Sequence, residues 1–363
     1  MKLVVNWVGD GNNERALAQM ISKGGARVVF LQRGLRKRID IWEQGDKIHS
    51  GREKSVGRWR MLDDFLAGQP SGFQMLLRTL AITKGQRIDL MILESNRATF
   101  GLLLRRFGLA KRLVIVLTDY LPETGSRAIC WHRRIVNRLL NCLAARVDEV
   151  WTVSPRIPAA QLNPGHFIMP IFIDPATDSK DANRTEITYI GFPSADHALE
   201  ILFELARKHG WKLNIIGESI YLRGIAHLAP EDAVFHGLIT DRDRIAKIMQ
   251  NSFCGYAVYN NLGPTGYSYF GVPSKLFYYF SNNVPVITTN TSHFSAQVRE
   301  HKLGHLVEPE KGQIEAAILE LSRGYPQAKE AIVAFRKQWD AGVEEFLRER
   351  MAHLLGVDNT GQG

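Results

Sequence analysis

The stretch Gly271-Val272-Pro273-Ser274-Lys275-Leu276-Phe277-Tyr278-Tyr279-Phe280 carries the clearest chemistry in the sequence. Pro273-Ser274 reads as a helix start, with Ser274 as the capping side chain and Lys275 in the first turn. A cation in that turn opposes the helix dipole by roughly 0.3 kcal/mol or more. The placement makes sense if an anion stands before the helix, where free backbone N–H groups and the ammonium act together on a phosphate. With no such anion, Lys275 is an ordinary surface lysine. Glu94 closes the apolar run 89–93, and Asp119 follows the apolar run 113–117. Near the amino terminus, Gly9-Asp10-Gly11 follows the first apolar run, as a tight turn or as a place where backbone approaches a ligand.

Other reactive side chains assemble into nothing. His132, His166, His197, His236, His293, His301 and His305 are scattered, and no metal site is expected among them. Cys130, Cys142 and Cys254 have no C-x-x-C spacing and read as three reduced thiols.

The elements that must position these residues follow a repeating unit. Residues 2–8 form a β-branched run, a glycine turn follows, 14–23 has helical spacing, Gly24-Gly25 stops it, and 27–31 is the next strand. Strands are expected again at 89–93, 113–117 and 150–153, with helices over about 99–109 and 125–146 between them. The runs 89–93 and 113–117 are unbroken, as strands covered on both faces should be. Ile39, Ile41 and Ile48 fit short strands.

After the polar stretch 174–184 a second set begins: strands at 187–190, 213–216, 234–235, 255–259 and 284–288, with helices through Leu199, Leu202 and Leu205, over 242–250 and over 274–280. Residues 328–355 have helical periodicity through Ile332, Phe335, Trp339, Val343, Phe346, Leu347 and Met351. The 363 residues therefore divide into a Rossmann-like domain over 1–173, a linker over 174–185, a second Rossmann-like domain over 186–327 and a bridging helix over 328–356. Two open parallel sheets would face a cleft, and ligands of such sheets bind beyond the carboxyl ends of the strands.

At this point the sequence resembles a family. P-x-K-L-F-x-Y at 273–279, followed by Pro285-Val286-Ile287, is similar to the nucleotide-binding domain of the group 1, family 4-like glycosyltransferases of the GT-B fold. Tyr189-Ile190-Gly191, the segment 213–217, Val234-Phe235-His236-Gly237 and His305-Leu306-Val307-Glu308-Pro309 match that domain in order. Residues 116–122 resemble the D-x-x-P loop of the first domain, and Asp148-Glu149-Val150-Trp151-Thr152-Val153-Ser154 resembles its A-D-x-V-x-x-V-S. The resemblance implies an α/β GT-B architecture whose carboxyl-terminal helix returns to the first domain. It also implies donor contacts from Lys275, Ser274, Pro273, Tyr278, Gly191, Gly217, Gly9 and Gly11.

Departures are equally specific. The two glutamates common in the family fall on Phe270 and Tyr278, which cannot accept hydroxyl hydrogen bonds as carboxylates do. Phe192 stands where an arginine often follows the first glycine, and no lysine occurs in 193–199. K-L-x-x-Y at 275–279 also resembles a smaller set of GT-B transferases that lack the glutamate pair.

Glycosyl transfer must neutralise a departing nucleoside diphosphate, which the resemblance gives to Lys275 and a helix end without a metal. An inverting reaction also needs a base for the acceptor hydroxyl, with Asp119 and then Glu94 as the choices. No cofactor is expected; the donor is a nucleotide-diphosphate sugar, a UDP-sugar first. The alternatives are a GT-B protein that binds a nucleotide or glycan without transfer, and a sugar-nucleotide epimerase.

Charge is unevenly shared. Residues 1–170 hold 27 basic and 14 acidic side chains, and 171–363 hold 19 and 23. Arg127, Trp131, Arg134 and Arg138 share one face of the 125–146 helix, while Ile135, Leu139 and Cys142 lie on a neighbouring face expected to pack inward. Trp among arginines fits an anionic leaflet, and a solvated helix face explains the same pattern. No recognition-helix, zinc-finger or RNP-like pattern supports nucleic acid. The expected setting is the cytoplasm, peripheral on the inner membrane face, with a glycan or lipid-linked acceptor. No apolar run reaches the ~20 residues of a membrane span.

Overall fold

The computed structural model describes residues 2–7, 21–23, 26–32, 38–44, 46–52, 79–81, 83–94, 98–117, 126–171, 184–239 and 241–356, with 76 and 173 besides. The chain separates into two compact units, Met1–Phe172 with Ala341–Gly363, and Ile173–Asp340.

The first unit contains β1 (Lys2–Trp7), β2 (Ala26–Gln32), β3 (Arg38–Glu43), β4 (Asp46–Arg52), β5 (Ile88–Glu94), α1 (Ala98–Arg106), β6 (Ala110–Leu117), α2 (Arg127–Ala144), β7 (Glu149–Thr152) and β8 (His166–Ile168). They form one sheet in the order β4-β3-β2-β1-β5-β6-β7-β8. Pairing is parallel from β2 to β8, whereas β3 and β4 add an antiparallel edge. The unbroken apolar runs of β5 and β6 are buried from Leu90 to Leu93 and from Leu113 to Leu117, because α1 and its neighbours cover a sheet that water cannot reach.

The second unit contains β9 (Glu186–Ile190), α3 (Leu199–His209), β10 (Lys212–Ile216), α4 (Ile220–Ile225), β11 (Val234–Gly237), α5 (Arg242–Met249), β12 (Ser252–Ala257), α6 (Tyr267–Phe270), α7 (Ser274–Ser281), β13 (Val286–Thr288), α8 (Ser295–Glu300) and β14 (Gly304–Leu306). Its sheet, wholly parallel, runs β11-β10-β9-β12-β13-β14. The reversal between β9 and β12 is where an open α/β sheet offers its ligand crevice. The core packs Leu199, Leu202 and Phe203 of α3 against Ile187, Leu213, Ile215 and Tyr256 of the sheet.

The closing helix differs from the expectation. It runs as α9, Lys311–Leu355, rather than starting at 328, and contains Pro326. A proline two residues ahead of a periodic stretch reads as a boundary because it removes one backbone donor; burial of Ile314, Ile318 and Leu321 before it keeps the helix continuous. Residues up to Asp340 belong to the second unit, where Phe335 and Trp339 join Phe277, Phe280 and Phe294 in an aromatic cluster. From Ala341 the helix belongs to the first unit. There Phe346 meets Trp151 edge-on, and Arg350 lies over Phe167 and 3.6 Å from the buried Glu149 carboxylate.

Candidate functional site

Strands β9, β10 and β11 end side by side in Gly191, Gly217 and Gly237, all with positive φ. The N–H of Gly191 donates to the Ile216 carbonyl and that of Gly217 to the Gly237 carbonyl, so the three chain ends form one backbone platform. A Cβ on Gly217 would stand 1.8 Å from the Gly191 carbonyl oxygen. Only glycine tolerates both that approach and a φ of +140°.

Helix α7 begins beside this platform. Its cap is Pro273 at φ −60°, and the Pro273 carbonyl accepts the first bond, from the Leu276 N–H. Ser274 is therefore not the cap: it is the first helical residue, exposed, where its hydroxyl cannot turn back onto the following N–H groups. The first turn has no side-chain cap, which leaves its donors for a ligand.

Lys275 turns inward, only 8% exposed. Its Nζ lies 3.4 Å from Tyr189 Oη, 4.4 Å from the Tyr189 ring centroid and 5.0 Å from that of Tyr259. The place a Gly191 side chain would take is 3.3 Å from Lys275 Cε, so the ammonium stem runs directly behind the glycine platform. Burial pulls the amine down from its ordinary 10.5 to about 7.

One turn later on the same helix, Tyr279 fixes this position. Its Oη accepts from the Ile190 N–H at 3.1 Å and donates to the Tyr256 carbonyl at 3.0 Å, tying α7 to β9 and β12. The ring lies on Gly255 of β12, where a Cβ would come within 2.5 Å of it.

His197 closes the other side. It stands edge-on to Tyr189 and 5.0 Å from Tyr259 between ring centroids. Its Nδ1 accepts from the Ser194 N–H, and Ser194 caps the turn in return. Loss of hydration, and then the charge of Lys275, lower this imidazole to about 3. Asn260 bonds the carbonyls of Ala195 and Asp196, joining the loop after β9 to the loop after β12.

Tyr189, Tyr259 and His197 are thus site residues that sequence reasoning passed over. Only Tyr189 carried a signal, as the strand residue two before Gly191. Tyr278 is half-buried, with the Arg242 guanidinium 5.9 Å from its ring.

The remaining expected residues lie on the first unit. Glu94 ends β5, half-buried and in register with Val116 of β6. Asp119, Gly9 and Gly11 fall outside the described residues. On α2, Arg127, Trp131, Arg134 and Arg138 are all exposed, Trp131 at 67%. The neighbouring face does not pack inward: Ile135, Leu139 and Cys142 are exposed too. Asn137, Leu140, Leu143 and Ala144 are buried instead, and the polar Asn137 in the inner stripe masked the inward face. The outer face of α2 is consequently apolar and basic together.

No family model matches the sequence, and the search of curated proteins finds no match. Solved structures do match. The chain is similar to sucrose-phosphate synthase from Thermosynechococcus elongatus at 13% identity and a TM-score of 0.70, over 99% of this chain and 100% of that one. Anabaena HepE, solved with UDP-glucose, gives 15% identity and a TM-score of 0.62 over 98% and 99% of the two chains. The OtsA apo structure gives 11% and 0.61 over the same shares. These likenesses show the fold.

Proposed function

We propose, on the premise that the chain has the GT-B fold, that it transfers a sugar from a nucleoside diphosphate to a glycan or lipid-linked acceptor. The observation that carries this reading is Lys275: a buried amine behind a glycine platform, at the start of a helix without a side-chain cap. The β-phosphate would rest between the Lys275 ammonium and the first N–H groups of α7. As the bond from the sugar carbon to the phosphate oxygen lengthens, the diphosphate gains charge, and these donors stabilise it more than they stabilised the donor sugar. Charge neutralisation is thereby assigned to the chain rather than to a divalent cation.

HepE is solved with UDP-glucose and with UDP and glucose, which supports a UDP-sugar as the first donor to try. If the reaction inverts, the acceptor proton passes to Asp119 or Glu94.

The acceptor belongs at an anionic membrane surface on the cytoplasmic side, in this reading. Trp131, Ile135 and Leu139 leave an apolar line on α2 exposed among Arg127, Arg134 and Arg138; Leu103 of α1 and Phe107, just after that helix, are exposed as well. No described helix is long and apolar enough to cross a membrane, so the contact would be superficial.

A thermal-shift and hydrolysis screen against UDP-, GDP- and ADP-sugars, with and without a chelator, tests the proposal. Nucleotide-dependent stabilisation with slow donor hydrolysis, lost in Lys275→Ala and indifferent to the chelator, is the expected result. The absence of carboxylates at Phe270 and Tyr278 favours a second reading, a nucleotide-binding GT-B protein that transfers nothing. Binding without turnover on any acceptor pool would decide for it.

A further inference from the structure

Among the described residues, the surroundings of Lys275 contain no carboxylate that would hold its charge in place of a ligand. From β9 it faces Tyr189, from the loop after β12 Tyr259, and from the turn after β9 the imidazole His197; its own helix adds Tyr279. Burial pushes all three tyrosines well above their ordinary range, so they remain neutral phenols, and His197 remains a neutral imidazole at any ordinary pH. Among the described residues Lys275 makes no ion pair, and its one hydrogen-bond partner is the Tyr189 hydroxyl.

This differs from the usual way of keeping a lysine inside a protein. A buried ammonium is ordinarily paired with a carboxylate, because an unpaired charge loses its hydration without return. Ring faces attract a cation but carry no net charge. They therefore leave an ammonium uncompensated, and they do not compete with an incoming anion as a carboxylate would.

Resting on the reading of this recess as a diphosphate site, we propose that at mildly alkaline pH Lys275 is largely the neutral amine while the site is empty, and that a proton enters from solvent with the diphosphate. The amine lone pair takes the proton, the bound phosphate supplies the missing counter-charge, and no bond to carbon or phosphorus changes. The site is then a proton-coupled anion site: it accepts the donor as a pair with H⁺ and releases both together. The lowered basicity of Lys275, to about 7, places the exchange within the physiological range.

The test is titration calorimetry with UDP-glucose on the whole chain at pH 8, in buffers of different ionisation enthalpy. Its diphosphate is esterified at both ends and does not itself titrate there. Close to one proton taken up per nucleotide is expected, and the affinity should fall about fivefold from pH 7 to pH 8 and about ninefold from pH 8 to pH 9. Lys275→Met should bind more weakly with no uptake and a flat pH profile. Buffer-independent heats with pH-independent affinity in the unaltered protein would overturn the inference while leaving the nucleotide site intact. Uptake that persists in Lys275→Met would overturn it as well, because the proton would then go elsewhere. Failure of UDP-glucose, UDP, GDP and ADP alike to bind would instead remove the functional reading on which it rests. The measurement on the unaltered protein decides the matter even if the variant does not fold.

Discussion

Lys275 and Tyr279 stand one helical turn apart on α7, and the second holds the first in place. Tyr279 Oη takes up the Ile190 N–H and the Tyr256 carbonyl, so the helix is pinned to the two strands that flank the sheet's reversal. Lys275 is thereby delivered to the back of Gly191, next after Ile190 in the chain.

Tyr279→Phe removes both bonds but keeps the ring over Gly255. The Ile190 N–H is then left buried without its partner, a cost of about 1–3 kcal/mol. Urea denaturation should show that loss, and nucleotide affinity should fall more than stability alone explains, because α7 is freed to shift.

Gly217→Ala should be far more damaging than its size suggests. The methyl would meet the Gly191 carbonyl oxygen at 1.8 Å, and the backbone conformation is itself unfavourable for an L side chain. A loss of about 3 kcal/mol or more is expected, with failure to bind nucleotide. Gly224→Ala, whose added methyl meets nothing, serves as the control and should stay within about 1 kcal/mol of the parent.

Stability should rise with pH over two separate windows. His197 titrates near 3 in the folded chain and near 6.5 unfolded, so the unfolded state binds the extra proton between them. Its contribution is present above pH 6.5 and is lost as pH falls toward 3. Lys275 titrates at about 7 folded against 10.5 unfolded, so the unfolded state again holds the extra proton, and stability climbs from pH 7 to 10.5. Melting temperatures across pH should flatten in the acid window for His197→Gln and in the alkaline window for Lys275→Met.

On the first unit, Arg350→Ala leaves the 3%-exposed Glu149 side chain without its guanidinium neighbour. Burial already holds that carboxyl above its ordinary value despite Trp151, Arg350 and His353. Denaturant unfolding should show a loss of about 3 kcal/mol, and Glu149→Gln in the same chain should restore part of it, since no stranded charge then remains.

Membrane contact, if α2 provides it, is separable from folding. Arg134→Glu with Arg138→Glu alters two exposed side chains, and urea denaturation of the variant reports its stability apart from vesicle binding. Flotation with anionic vesicles should be lost, and salt should weaken it in the unaltered protein. Vesicle binding indifferent to both changes would dismiss the membrane reading of this face.

Much of the architecture was legible locally. Unbroken β-branched runs such as 113–117 declared buried parallel strands, and glycines after 190 and 216 marked their ends. Periodicity failed where polarity misled it. Asn137 hid the inner face of α2, and Pro326 hid the first third of α9, because burial elsewhere outweighed both local signals.

What the sequence determined by itself was the repeated strand–helix unit, the lysine at a helix start and the aromatic residues at 270 and 278. These depend on residue type and near spacing. Tertiary structure decided that Lys275 faces inward, that Pro273 rather than Ser274 caps its helix, and that Tyr189, Tyr259 and His197 surround the amine. Tyr189 and His197 come from a stretch of the chain well before Lys275. Only the pairing of β9 with β10 and β12 brings their ends together, and only burial there lowers the basicity of an otherwise ordinary lysine.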